Sequence, residues 1–126
     1  MGDQAPRPES YLPLTAAVLD IMVALGDEEL HGYAIMKEVR RRTDGQRRLA
    51  PGTLYRSLKQ MEQRGWVAPS EERPEPSLDD ERRRYYRLTE IGRRVALAEV
   101  ERLEGLVGAA RLKGFIPSPR PSGADA

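Results

Sequence analysis

The run Pro51-Gly52-Thr53-Leu54-Tyr55-Arg56-Ser57-Leu58-Lys59 most restricts what this chain can fold into. Proline at a first helical position costs no hydrogen bond, because the N–H it lacks has no partner in any helix. Leu54, Leu58 and Met61 then recur at helical spacing as a stripe to be buried, and Gly65 is placed as the stop. Thr53, Arg56, Ser57 and Gln60 fall on the opposite face. Trp66-Val67-Ala68 follows at once, and Tyr85-Tyr86-Arg87-Leu88 comes after a charged interval. Both read as short antiparallel strands. The interval from Pro69 to Arg82 is too polar and proline-rich for a tight turn, and reads as an extended wing.

Upstream, Leu14, Val18, Ile21, Met22 and Leu25 fall at helical spacing, and Gly26 with Asp27-Glu28-Glu29 ends that helix. A second helix is expected from Gly32 to Thr43, with Ile35 and Val39 on one face. Lys37, Arg40, Arg41 and Arg42 take its other face and its end, where cations suit the helix dipole. Asp44-Gly45-Gln46-Arg47-Arg48 reads as a turn into the Pro51 helix. Thr89 is placed to cap a last helix from Glu90 to Lys113. Its apolar positions are Ile91, Val95, Ala98, Leu103, Leu106, Val107 and Ala110, spaced irregularly for a coiled coil. Gly105 and Gly108 each cost a helix about 1 kcal/mol against alanine, which makes sense if a partner helix approaches closely there.

The fold class is therefore mainly α with a small β-wing. Residues 1–10 read as a flexible arm, 11–88 as a winged helix-turn-helix, 89–114 as a dimerisation helix and 115–126 as a disordered, proline-rich tail. A chain of 126 residues is one small domain with a limited core, so self-association is expected. There is no cysteine, which removes disulfides and thiolate metal sites and fits a cytoplasmic setting. The N-terminus lacks a signal-peptide pattern, and no apolar run approaches the roughly 20 residues that span a bilayer. Net charge is only +1, but its distribution is uneven. It is −5 over residues 1–30, +6 over 31–66, −1 over 67–87 and +1 over 88–126. The positive charge collects on the second and third helices.

That architecture offers one helix for a DNA groove and one ribbon for the adjacent backbone. On the third helix Arg56 can bond guanine bidentately, Gln60 can read adenine, and the Thr53 and Ser57 hydroxyls can serve bases or phosphates. Tyr55 borders the buried stripe, either as a core aromatic with its hydroxyl at the surface or as a phosphate donor. Lys37, with Arg40 and Arg41, can meet the backbone as the second helix crosses it. Arg82, Arg83 and Arg84 can neutralise phosphates at the wing or pair with Asp79, Asp80 and Glu81. The single histidine, His31, has no cysteine beside it for a zinc set and reads as a structural residue opening the second helix. Trp66 reads as core; a ligand-facing role would need it to border a dimer cavity, which Tyr11 could cover. No nucleophile–base pair, phosphate loop or cofactor motif is found, so an enzyme is not expected and no cofactor or metal is assigned.

The sequence resembles the PadR family of bacterial transcriptional regulators. The resemblance is carried by Leu30-His31-Gly32-Tyr33-Ala34-Ile35, Pro51-Gly52-Thr53-Leu54-Tyr55 with Leu58, Gly65-Trp66-Val67, and Arg84-Tyr85-Tyr86-Arg87-Leu88-Thr89-Glu90-Ile91-Gly92. It covers residues 12–107. It implies a dimeric winged-helix repressor of the short type, whose single C-terminal helix exchanges contacts between subunits. It also implies that Thr53, Tyr55 and Arg56 are the first candidates for DNA contact. Two positions depart from the pattern. Ala50 stands where a serine cap would precede Pro51, and the last helix has no aromatic residue before Phe115, whereas some short members hold flat aromatic drugs between tryptophans there.

The expected function is sequence-specific binding of double-stranded DNA as a homodimer at an inverted repeat, repressing transcription until a small-molecule effector releases it. The competing reading is a winged-helix protein-interaction module without DNA binding.

Overall fold

The computed structural model describes residues 6–70 and 84–117. Among these residues four α-helices and a three-stranded antiparallel sheet follow one another as α1 (Ala16–Ala24), β1 (Leu30–His31), α2 (Gly32–Arg42), α3 (Pro51–Gln63), β2 (Val67–Pro69), β3 (Tyr85–Leu88) and α4 (Glu90–Leu112). A single 3-10 turn, Pro8–Tyr11, precedes them and packs on α4. The segment read as a loose arm therefore carries local structure at its end, where Tyr11 finds an aromatic partner in Trp66.

Each helix starts where its chemistry predicts. Thr15 caps α1 by accepting from the Val18 N–H at 3.2 Å. His31 caps α2, its Nδ1 accepting from the Ala34 N–H at 3.1 Å, as the reading of a structural histidine expected. Thr89 caps α4, accepting from the Gly92 N–H at 3.0 Å and donating to the Gly65 carbonyl at 2.5 Å. Only α3 opens without a side-chain cap: Ala50 supplies none, and Pro51 takes the first position.

The sheet holds one strand more than the two read from the sequence. β3 lies between β1 and β2, with Leu30 opposite Tyr86, His31 opposite Tyr85, and Val67 opposite Leu88. Two residues are too few to show alternation, so β1 gives no periodic signal. Ile21, Met22 and Leu25 from α1, Ile35 and Val39 from α2, and Leu54, Leu58 and Met61 from α3 meet in one core. Trp66, Val67, Tyr86 and Val95 close it from the sheet and α4.

Two glycines are fixed by close approach. A β-carbon on Gly32 would enter the Tyr55 ring, so α2 and α3 touch only because position 32 has no side chain. A β-carbon on Gly92 would collide with the backbone carbonyl of Trp66, which is how the first turn of α4 sits on the α3–β2 junction.

α4 carries the clearest correction. Val95, read as a dimerisation residue, is 1% exposed and belongs to the chain's own core. The inward face is Gly92, Val95 and Glu99, and no residue after Glu99 is buried. Ala98, Leu103 and Ala110 are half-buried, while Ile91, Leu106 and Val107 are exposed. Leu97, Val100 and Leu112, not singled out from spacing, are exposed apolar positions too. Spacing marks which residues share a face, but α4 buries side chains in its own domain only as far as Glu99.

Glu99 is buried to 2% exposure. Its Oε2 accepts from the Leu14 N–H at 2.9 Å, and its Oε1 accepts from Arg102 Nε at 2.6 Å. The Arg102 bond, helped by the Leu14 N–H, holds its carboxyl below the usual carboxylate range against the opposing effect of burial. The buried carboxylate thus ties the entry to α1 to the middle of α4.

Candidate nucleic-acid interface

α3 presents two faces. Leu54, Leu58 and Met61 are sunk in the core. Opposite them Arg56 and Gln60 are exposed and Thr53 and Ser57 half-buried, with Lys59 exposed alongside. Positions 53, 56, 57 and 60 follow the spacing that places side chains on one helical face. Among the described residues none of these four makes a side-chain hydrogen bond or ion pair, and Lys59 makes none either. The donors and acceptors of the outward face are therefore unspent.

Tyr55 is half-buried with its ring against Gly32, so it serves as packing between α2 and α3. Lys37 is exposed on α2, its ammonium 5.7 Å from the centre of the Tyr33 ring. Tyr33 itself is 60% exposed and was not singled out from sequence. Its position four residues before Lys37 was the available signal, since that spacing sets the two side by side. His31 stacks on Tyr33 at 6.4 Å and meets Tyr85 edge-on at 5.2 Å, so the start of α2, β1 and the central strand β3 share one aromatic cluster.

Of the wing cations, Arg84 is exposed at the start of β3. Arg82, Arg83 and the acidic Asp79, Asp80 and Glu81 lie outside the described residues, as does most of the interval read as the wing.

The basic segment is less free than its sequence suggests. Asp20, on α1, takes two of its cations. Oδ1 accepts from Arg42 Nη2 at 2.9 Å, and Oδ2 accepts from Arg47 Nε at 2.6 Å. Arg41 is spent on Glu38 at 2.7 Å, and that bond draws the Glu38 carboxyl below its usual range. Arg40, Arg48, Arg56 and Lys59 carry no ion pair among the described residues.

Tyr11 and Trp66, the two weaker ligand-site candidates, are in contact. Their rings meet edge-on at 5.1 Å, and the Arg64 guanidinium lies 5.1 Å from the Trp66 ring centre and 5.5 Å from that of Tyr11. Trp66 is 2% exposed, and its indole Nε1 has no hydrogen-bond partner among the described residues. This is a packed cluster. No group of three or more His, Asp or Glu is placed to hold a metal among the described residues, and no helix there is long and apolar enough to cross a membrane.

The family model of the PadR-like transcriptional regulators matches residues 21–98, from the last turn of α1 through the sheet to the early part of α4. The chain belongs to the PadR-like family. Its members are transcriptional regulators. No curated protein matches the chain. Among solved structures, a transcriptional regulator from Clostridium thermocellum is 24% identical, with a TM-score of 0.66 over 86% of this chain and 93% of that one. A PadR family transcription regulator from Clostridium difficile is 25% identical, with a TM-score of 0.59 over 81% of this chain and all of that one, 100%. A ZitR mutant from Lactococcus lactis, solved in complex with DNA, is 20% identical, with a TM-score of 0.57 over 85% of this chain and 64% of that one. The winged helix-turn-helix read from the Pro51 helix and the two strands after it is thus the fold of this PadR-like chain.

Proposed function

We propose that this PadR-like regulator binds double-stranded DNA sequence-specifically through α3, as a cytoplasmic homodimer that represses transcription. The observation that carries the reading is the outward face of α3. Thr53, Arg56, Ser57 and Gln60 stand opposite a fully buried stripe with no partner of their own among the described residues. Side chains of these types match base edges in the major groove, and Arg56 is the natural guanine reader. Arg84 and Lys37 are offered to the backbone on either side. The DNA complex of the ZitR neighbour supports the same use of the fold.

Dimerisation is assigned to α4. At 23 residues it is about 34 Å long. Beyond Glu99 it leaves its own domain, with Val100, Leu106, Val107 and Leu112 exposed. Such an apolar, unsupported helix end is stabilised by a second copy packing on it. Gly105 and Gly108 have no atom within 4 Å of where a β-carbon would sit, which leaves room for close helix approach. An effector seated at that seam would act by changing the separation of the two α3 helices.

Selection from a randomised duplex library tests the reading. Enrichment of an inverted repeat with half-sites about 34 Å apart, or a multiple, is the expected result. Affinity should also fall steeply with salt, by about 10³–10⁵ between 50 and 200 mM for six to ten phosphate contacts. A folded protein that enriches no sequence and shows no salt dependence would instead be a protein-docking module. Operator affinity indifferent to a broad metabolite panel would sink the effector part alone.

A further inference from the structure

We propose that Asp20 is a positioning residue for DNA recognition: from α1 it fixes the pose of α3 and withholds two arginines from non-specific contact with phosphate. The inference deepens the DNA-binding reading and rests on it.

The segment that delivers α3, residues 43–50, is anchored by little burial. Leu49 is its only buried residue. Asp44 and Gly45 both adopt positive φ, +55° and +79°, so the chain reverses there and leaves α2 without continuing any ladder. Ala50 gives α3 no side-chain cap. Backbone bonds close the turn itself, from the Gly45 N–H to the Arg40 carbonyl at 2.8 Å and from the Gln46 N–H to the Thr43 carbonyl at 2.9 Å. Two side-chain devices tie it down beyond that. Thr43 Oγ1 donates to the Val39 carbonyl at 2.9 Å and accepts from the Arg47 N–H at 3.0 Å. The Asp20 carboxylate then receives Arg42, the last residue of α2, and Arg47, four residues before α3. One side chain therefore pins both ends of the reversal to α1, which also packs directly on α3.

The pins are better than ordinary surface pairs. The Asp20 side chain is only 14% exposed and uses both oxygens, while the side chains of Arg42 and Arg47 are 30% and 46% exposed. Charge-assisted bonds of this kind are short and directional. Two consequences follow, and they act with the same sign. Losing the carboxylate loosens the entry to α3, which weakens base readout because that depends on helix pose. It also leaves Arg42 and Arg47 unneutralised, which strengthens attraction to any DNA. Specificity, the ratio of operator to non-specific affinity, falls by both routes.

The test uses full-length Asp20→Asn and Asp20→Glu, with circular dichroism to confirm that each is folded. Affinities are measured for the selected operator and for a scrambled duplex across a salt series. Asparagine keeps one acceptor but loses the charge and faces two guanidiniums with an NH₂ group. We expect the operator-to-scrambled ratio to fall about 10-fold or more, and the log–log salt slope on scrambled DNA to steepen by about one to two. Asp20→Glu should recover part of the ratio. In an Arg47→Gln background the Asp20→Asn effect should shrink, since one of its partners is already gone. A ratio within twofold of the unsubstituted chain, or operator and scrambled affinities falling together, would overturn the inference while leaving DNA binding standing. Failure of the unsubstituted chain to bind any enriched sequence would overturn the DNA reading itself and this inference with it.

Discussion

Glu99→Ala is the substitution whose cost can be worked most directly from the structure. The carboxylate is buried, bonded at once to the Leu14 N–H and to Arg102. Truncation leaves the Leu14 N–H without an acceptor, which costs about 1–3 kcal/mol. It also removes one buried methylene, Cγ, worth about 0.8 kcal/mol. Arg102 is 40% exposed and can turn its guanidinium to water, so its release adds little. The total is about 3 kcal/mol. Unfolding entropy of about 2.1 cal/mol/K per residue turns that into a fall in Tm of roughly 11 °C for a chain this size. Glu99→Gln keeps an oxygen for Leu14 but buries an unpaired NH₂ group where an oxygen had faced Arg102, and should cost about 1–2 kcal/mol. The two proteins also differ in pH dependence. The Arg102 bond and the Leu14 N–H depress the folded-state pKa, so the contribution is fully present above the unfolded-state value and disappears as pH falls through the folded-state value. The stability gap between the unsubstituted chain and Glu99→Gln should therefore be constant near neutrality and close below the usual carboxylate range. Urea denaturation at fixed protein concentration, repeated from pH 7 to pH 3, measures both. A loss under about 1 kcal/mol for Glu99→Ala, or a gap that does not close in acid, would refute the argument.

Gly92→Ala should destabilise the fold by more than the roughly 1 kcal/mol that alanine contributes to a helix, because its β-carbon meets the Trp66 carbonyl and backbone must move; thermal melting reads this, and a rise in Tm would contradict it. Gly105→Ala has open space around it, so in the dissociated chain it should stabilise α4 by about 1 kcal/mol, yet weaken self-association if a second helix packs there. Sedimentation over a concentration series separates the two effects, and tighter association would count against close helix approach. Arg56→Ala should cost about 1–3 kcal/mol of operator affinity and relax preference at one base position; a uniform loss across all sequences would make Arg56 a phosphate contact instead.

Local chemistry made most of the fold readable. The Pro51 start, the Leu54–Leu58–Met61 stripe, the Thr89 cap and the two strands after α3 each depend on residues within one turn or one strand of each other. What escaped is what depends on distance along the chain. Asp20 lies 22 and 27 residues from the arginines it binds, and nothing near position 20 announces them. A glutamate three residues before an arginine looks like a solvated helix pair, so Glu99 gave no sign of being buried; only the Leu14 N–H, 85 residues away, explains it. Val95 has the spacing of an interface residue and lies inside the chain's own core, because periodicity identifies a face and not what covers it. Charge counting had the same limit. The excess over residues 31–66 is real, but Asp20 and Glu38 engage three of its cations. Those left over mark the outward surface better than the net figure does.

The Tyr11–Trp66–Arg64 cluster makes this protein its own optical probe. Trp66 is the chain's one tryptophan, so its fluorescence is not mixed with any other indole. With its ring buried and Nε1 without a partner among the described residues, it should emit toward the blue end of the indole range. One neighbour, Tyr11, sits on the 3-10 turn, and another, Arg64, ends α3. Detachment of the turn, or a shift of α3 against the sheet when DNA is engaged, admits water to the indole and moves its emission to the red. The position of α3 relative to the sheet can thus be followed in solution with no label attached.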